Sequence, residues 1–77
     1  MNRKLYEMLY SEAVANRNKA LLTLDLLGNS PAGIGDHSTG DFYNNANEAL
    51  QMLVDANDAI STLKTEFPGI TEKLIKG

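Results

Sequence analysis

The residues best equipped for chemistry in this 77-residue chain lie together, in the run Gly33-Ile34-Gly35-Asp36-His37-Ser38-Thr39. Gly33 and Gly35 permit positive φ, or a close approach of the backbone to a ligand. A glycine-rich segment that runs into a helix N-terminus presents free backbone N–H groups at the positive end of the helix dipole, which is the physics of a phosphate site. His37, Ser38 and Thr39 would add side-chain donors to such a cradle, with Asp36 beside them. Gly33-Ile34-Gly35 matches neither a Walker loop nor a dinucleotide fingerprint, and the preceding strand that both need is missing. The same residues also serve as a structured turn in which Asp36 or Ser38 caps the helix that follows, with Thr39 and Asp41 as further caps.

Asp36 next to His37 resembles an acid–base pair on paper. Sequence neighbours rarely point at one reaction centre, however, and apart from Ser38 no nucleophile accompanies them, so the chain is expected not to be an enzyme and no catalytic residue is assigned. A single histidine and no cysteine exclude thiolate sites and leave too few ligands for a metal; neither a metal nor a cofactor is expected. Three side chains outside the loop are candidates to help hold a ligand. Arg17 can bring a cation to a phosphate, although it and Lys19 can equally pair with Asp55 or Asp58 on the second helix. Tyr43 offers a ring to a base, and Asn44, one turn into the second helix, offers an amide, as does Asn47.

The elements that must position these residues are helical. A first helix is expected over residues 2–27, capped by Asn2, free of proline and stopped by Gly28-Asn29. Leu5, Leu9, Ala13, Ala20, Leu24 and Leu27 share one stripe of it with Tyr6 and Tyr10, which therefore read as core or interface. A second helix is expected over 41–67, where Phe42, Ala46, Ala49, Leu53, Ala56, Ile60, Leu63 and Phe67 alternate spacings of 4 and 3 in an unbroken heptad seam. The loop between them, 28–40, is longer than an antiparallel turn requires; Ile34 can plug the open end and Pro31 restricts the backbone. Pro68-Gly69 ends the second helix, and 71–76 can form a short terminal turn. The fold expected is a single all-α domain: an antiparallel two-helix hairpin with a long ordered Gly-rich loop and a short C-terminal helical turn, packed as a homo-oligomer.

Self-association is expected because a chain of this size buries only about 60% of its unfolded surface, and no disulfide or metal reinforces it. Leu22 and Leu26 on the first helix and Leu50 and Val54 on the second lie off the seam and are the candidate subunit interface. The formal net charge of −3 supplies no basic field for a nucleic-acid polymer or an anionic membrane. No stretch is long and apolar enough to span a bilayer or act as a signal peptide, so a cytoplasmic location is expected.

The run Leu26-Leu27-Gly28-Asn29-Ser30-Pro31-Ala32-Gly33-Ile34-Gly35-Asp36-His37-Ser38-Thr39, followed by an Asn- and Ala-rich helix, resembles short helix–loop–helix proteins of tailed bacteriophages. The resemblance covers about residues 20–67 and is most specific over 31–39. In size and helical-hairpin character the chain is also similar, at the level of fold, to the phage anti-CBASS and anti-Thoeris sponges, which sequester nucleotide immune signals. The resemblance implies a non-enzymatic phage accessory protein in the host cytoplasm that binds a small phosphorylated nucleotide through the 33–39 loop and acts in counter-defence by sequestration. A second reading is a helical module that docks on a host or phage protein through Leu22, Leu26, Leu50 and Val54 without a small ligand.

Overall fold

A computed structural model describes residues 1–29 and 39–70 of the chain, with the side chains of 39 and 40 excepted. Within these residues the protein is all-α: helix α1 spans Arg3–Gly28, helix α2 spans Thr39–Glu66, and no strand is present. The molecule is an elongated body of 50 × 19 × 16 Å. The 28–40 loop, apart from its first and last residues, and the terminal turn expected at 71–76 lie outside the described residues.

Each helix end has a local cause. Asn2 takes an extended conformation (φ −81°, ψ 162°) and its side-chain oxygen accepts the Leu5 N–H at 2.8 Å, so α1 starts on the cap its sequence offers. The helix then runs unbroken through Asn16-Arg17-Asn18. Its stop differs from a glycine-driven one: Gly28 is the last helical residue and no residue among those described has a positive φ. Asn29 closes the end instead. Its backbone N–H and its side-chain amide both donate to the Asp25 carbonyl, at 3.1 and 2.9 Å, and the amide also reaches the Asp25 carboxylate at 3.1 Å. Helix α2 has Asp41 in its first turn and Lys64 in its last, both favourable to its dipole. It ends at Glu66 because Phe67 precedes Pro68, which disfavours the α conformation there; the backbone turns helical again at 68–70.

The two helices pack side by side and antiparallel, with the ring of Tyr6 near the start of α1 edge-on to Phe67 just beyond the end of α2, at 6.4 Å and 77°. The buried core is a double ladder of period seven: Tyr6, Ala13 and Ala20 on α1, and Ala49, Ala56 and Leu63 on α2. An antiparallel pair sets Tyr6 level with Leu63, Ala13 with Ala56 and Ala20 with Ala49. Small side chains in two facing rungs let the helix axes approach closely. All eight residues of the α2 seam read from the sequence are buried or half-buried, and the other residues described between 41 and 66 are exposed.

The α1 stripe is narrower than its apolar content suggests. Leu5 and Leu9 are 44% and 37% exposed, on the flank of the seam. The seam itself follows Tyr6, Tyr10, Ala13, Ala20, Leu24 and Leu27, all buried or half-buried. The same spacing places Arg17 in the slot between Ala13 and Ala20, where it stays exposed beside a half-buried Asn16.

Candidate functional site

Of the ligand-binding residues expected from the sequence, Gly33, Gly35, Asp36, His37 and Ser38 lie outside the described residues, and Thr39 is described only as the first helical residue of α2. Arg17, Tyr43 and Asn44 are all exposed. They do not share a level. In the antiparallel register Tyr43 stands opposite Leu26, nine residues from Arg17, which is roughly 14 Å along the axis at the helical rise per residue. Tyr43 packs edge-on against the half-buried Phe42, with centroids 5.6 Å apart at 76°. Among the described residues neither Arg17 nor Lys19 bridges to Asp55 or Asp58: an exposed ion pair joins Arg3 to Glu7 at 3.2 Å, and Asp55 accepts the Gln51 side-chain amide at 2.9 Å. Tyr6 and Tyr10 are packing residues, stacked at 5.9 Å and 15°.

A feature that the sequence reading did not locate is a groove of about 860 Å³ along one flank of the helix pair. Its floor is apolar: Leu9 and Ala13 of α1, with Met52, Ala56, Ala59 and Leu63 of α2. Its rim is acidic: Glu12 on one wall, and Glu48, Asp55 and Asp58 on the other. Asn16, Gln51 and Thr62 complete the lining, which contains no Lys or Arg. The hollow follows from the small side chains Ala13, Ala56 and Ala59, which leave space where larger residues would meet across the flank. A sequence signal existed, namely the heptad-spaced carboxylates Glu48 and Asp55 on the same side of α2 as Met52 and Ala59.

The remaining exposed apolar residues sit elsewhere. With the ladder residues facing inward, helical geometry puts Leu21 and Leu50 on the flank opposite the groove, Leu22 on the outer surface of α1 and Val54 on the outer surface of α2. Leu26 lies between the outer surface of α1 and the groove side. The interface residues expected from the sequence are therefore all exposed, at 60% for Leu22, 58% for Leu26, 50% for Leu50 and 43% for Val54, but they form two strips instead of one face. Among the described residues no group of three metal-ligating side chains converges, and no helix is long and apolar enough to cross a membrane. What the groove offers a ligand is apolar contact and negative charge.

No known protein family, curated protein or solved structure matches the chain.

Proposed function

We propose that the chain is a non-enzymatic helical interaction module: a helical hairpin that assembles with further copies of itself and acts by occupying a partner protein. The observation that carries this reading is the amount of large apolar surface the helix pair leaves uncovered, above all the Leu22/Leu26 and Leu50/Val54 strips. The fully buried ladder is mostly alanine, which buries little area per residue, so covering those strips would add stability to a helix pair this small. Exposed apolar strips of this kind mark interaction surfaces. The nucleotide cradle of the 33–39 loop draws no support from the helix-borne residues, because Arg17 stands about 14 Å in level from Tyr43 and about 12 Å from Asn44.

Sedimentation velocity and thermal unfolding over a hundredfold range of protein concentration test the proposal. The expected result is a discrete oligomer whose melting temperature rises with concentration, and whose mass falls in the Leu22→Asp/Leu26→Asp and Leu50→Asp/Val54→Asp double variants. A monomer with a concentration-independent melting temperature and no response to either double substitution would overturn self-association. Retention of a phosphorylated nucleotide that is lost on changing Gly33, Gly35 or His37 would replace the interaction reading with the sequestration one.

A further inference from the structure

We propose that the groove between α1 and α2 receives a basic amphipathic α-helix of a partner protein, which lies along the pair and completes a three-helix bundle. This rests on the reading of the chain as an interaction module and specifies the chemistry of its partner.

Shape is the first argument. The α2 wall runs from Glu48 to Leu63, fifteen steps and about 22 Å at the helical rise, so the hollow is straight and roughly four helical turns long. Both walls are α-helices, whose backbone N–H and C=O groups are satisfied internally, so there is no edge to which an extended peptide could pair. A strand laid here would leave its own backbone groups unpaired against an apolar floor. A helix brings its hydrogen bonds with it and needs to present only side chains.

Composition is the second argument. The apolar floor asks for one apolar stripe at helical spacing in the occupant. The rim places carboxylates on both sides of that floor, Glu12 on α1 and Glu48, Asp55 and Asp58 on α2, with no Lys or Arg among the lining residues to neutralise them. An occupant therefore meets complementary charge when Lys or Arg flanks its apolar stripe, and these long side chains can lay their methylene stems over the floor while their heads reach the rim. A second copy of this chain does not fit through the same groove. A two-fold contact would set one acidic rim against another, which is repulsive, and the chain itself carries a net charge of −3.

The test uses the full chain and a labelled eighteen-residue model helix with leucines at heptad spacing flanked by lysines, read by fluorescence anisotropy at low and at physiological salt. Controls are a scrambled peptide of the same composition and a counterpart with glutamate in place of lysine. The expected result is saturable binding of the lysine helix, weaker at the higher salt, with no binding of either control. Charge reversal in Glu48→Lys/Asp55→Lys alters two exposed side chains, leaves the far-UV spectrum unchanged and weakens binding about tenfold, while Ser61→Asp, at an exposed position of α2 outside the groove lining, does not. Three results overturn the proposal: equal binding of the scrambled or glutamate peptide, full affinity in the charge-reversed variant, or a change in subunit number on charge reversal, which would show the groove closed by a second copy. If binding is lost in Leu50→Asp/Val54→Asp and kept in the charge-reversed variant, the groove is the wrong site while the interaction reading stands.

Discussion

Ala13 and Ala20 hold equivalent positions in the α1 ladder, yet leucine should be tolerated at one and not at the other. Ala20 is fully buried and does not line the groove, so the three added carbons of Ala20→Leu must force the helices apart or enter a strained rotamer. Overpacking of this kind costs about 1–3 kcal/mol. Ala13 is also buried, but its side chain lines the groove beside Leu9 and Met52. A leucine there can lean into the open hollow, where each additional buried methylene offsets the disturbance by up to about 0.8 kcal/mol. The expected difference between the two variants is about 2 kcal/mol, against a total stability of roughly 4–12 kcal/mol for a chain of this length. Urea unfolding followed by far-UV circular dichroism measures it, at one fixed protein concentration so that the self-association proposed above, which would contribute to stability, is held constant. With a slope of about 1 kcal/mol per molar urea, Ala20→Leu lowers the midpoint by about 2 M and Ala13→Leu shifts it by less than about 1 M. Equal losses, or a larger loss for Ala13→Leu, would show that the hollow does not border Ala13 as described.

Tyr6→Ala should be among the most damaging single changes, at about 3–5 kcal/mol, because it empties a fully buried site and removes two ring contacts at once; Tyr10→Ala, at a half-buried ring, should fall well short of it in the same urea assay. Gly28→Ala should stabilise α1 by up to about 1 kcal/mol, since Gly28 is helical without positive φ and an added Cβ meets nothing within 4 Å; a melting temperature that falls would contradict a helix ending on Asn29. Asn2→Ala removes the acceptor of the Leu5 N–H and should lower stability by about 1 kcal/mol, with hydrogen exchange accelerating in the first turn of α1 before the rest.

How far the sequence reveals this fold differs between the two helices for a physical reason. In α2 the apolar residues suited to the seam are flanked mostly by polar ones, so the alternation of 4 and 3 spacings identifies the buried set without help from the structure. In α1 there is more apolar surface than one neighbouring helix can cover. A wheel then yields a broad stripe that includes Leu5 and Leu9, and only packing shows that Tyr6, Ala13 and Ala20 are the inner residues. Gly28 illustrates a related ambiguity: a glycine near a helix end suggests a left-handed cap, but Asn29 can satisfy the Asp25 carbonyl with its own backbone and side chain, and the left-handed turn is not needed. The groove was less legible still. It is a space left by small residues on two helices distant in sequence, and it exists only once their register is fixed. The loop residues 33–38, where the sequence concentrates its donors, lie outside the described structure.

Register is the property on which the rest depends. A ladder of alanines at period seven is nearly indifferent to sliding by one heptad, since Ala13 opposite Ala49 packs much as it does opposite Ala56. The ends of the pair break that degeneracy. Tyr6 stacks on Tyr10 and meets Phe67 edge-on, and a slip of one heptad, about 10 Å of axial travel, would separate those rings. Arg17 adds a second constraint in the middle of α1: it occupies a seam slot with a charged side chain that must reach solvent, and a single polar residue in such a slot specifies register at some expense in stability. The pair is thus held in place more by its aromatic end and one polar slot than by the area its seam buries. That division explains how the helices can be well specified relative to each other and still present an open, acid-rimmed flank. The contacts that define the fold are not the contacts that could cover its apolar surface, and the proposed partner would supply the latter.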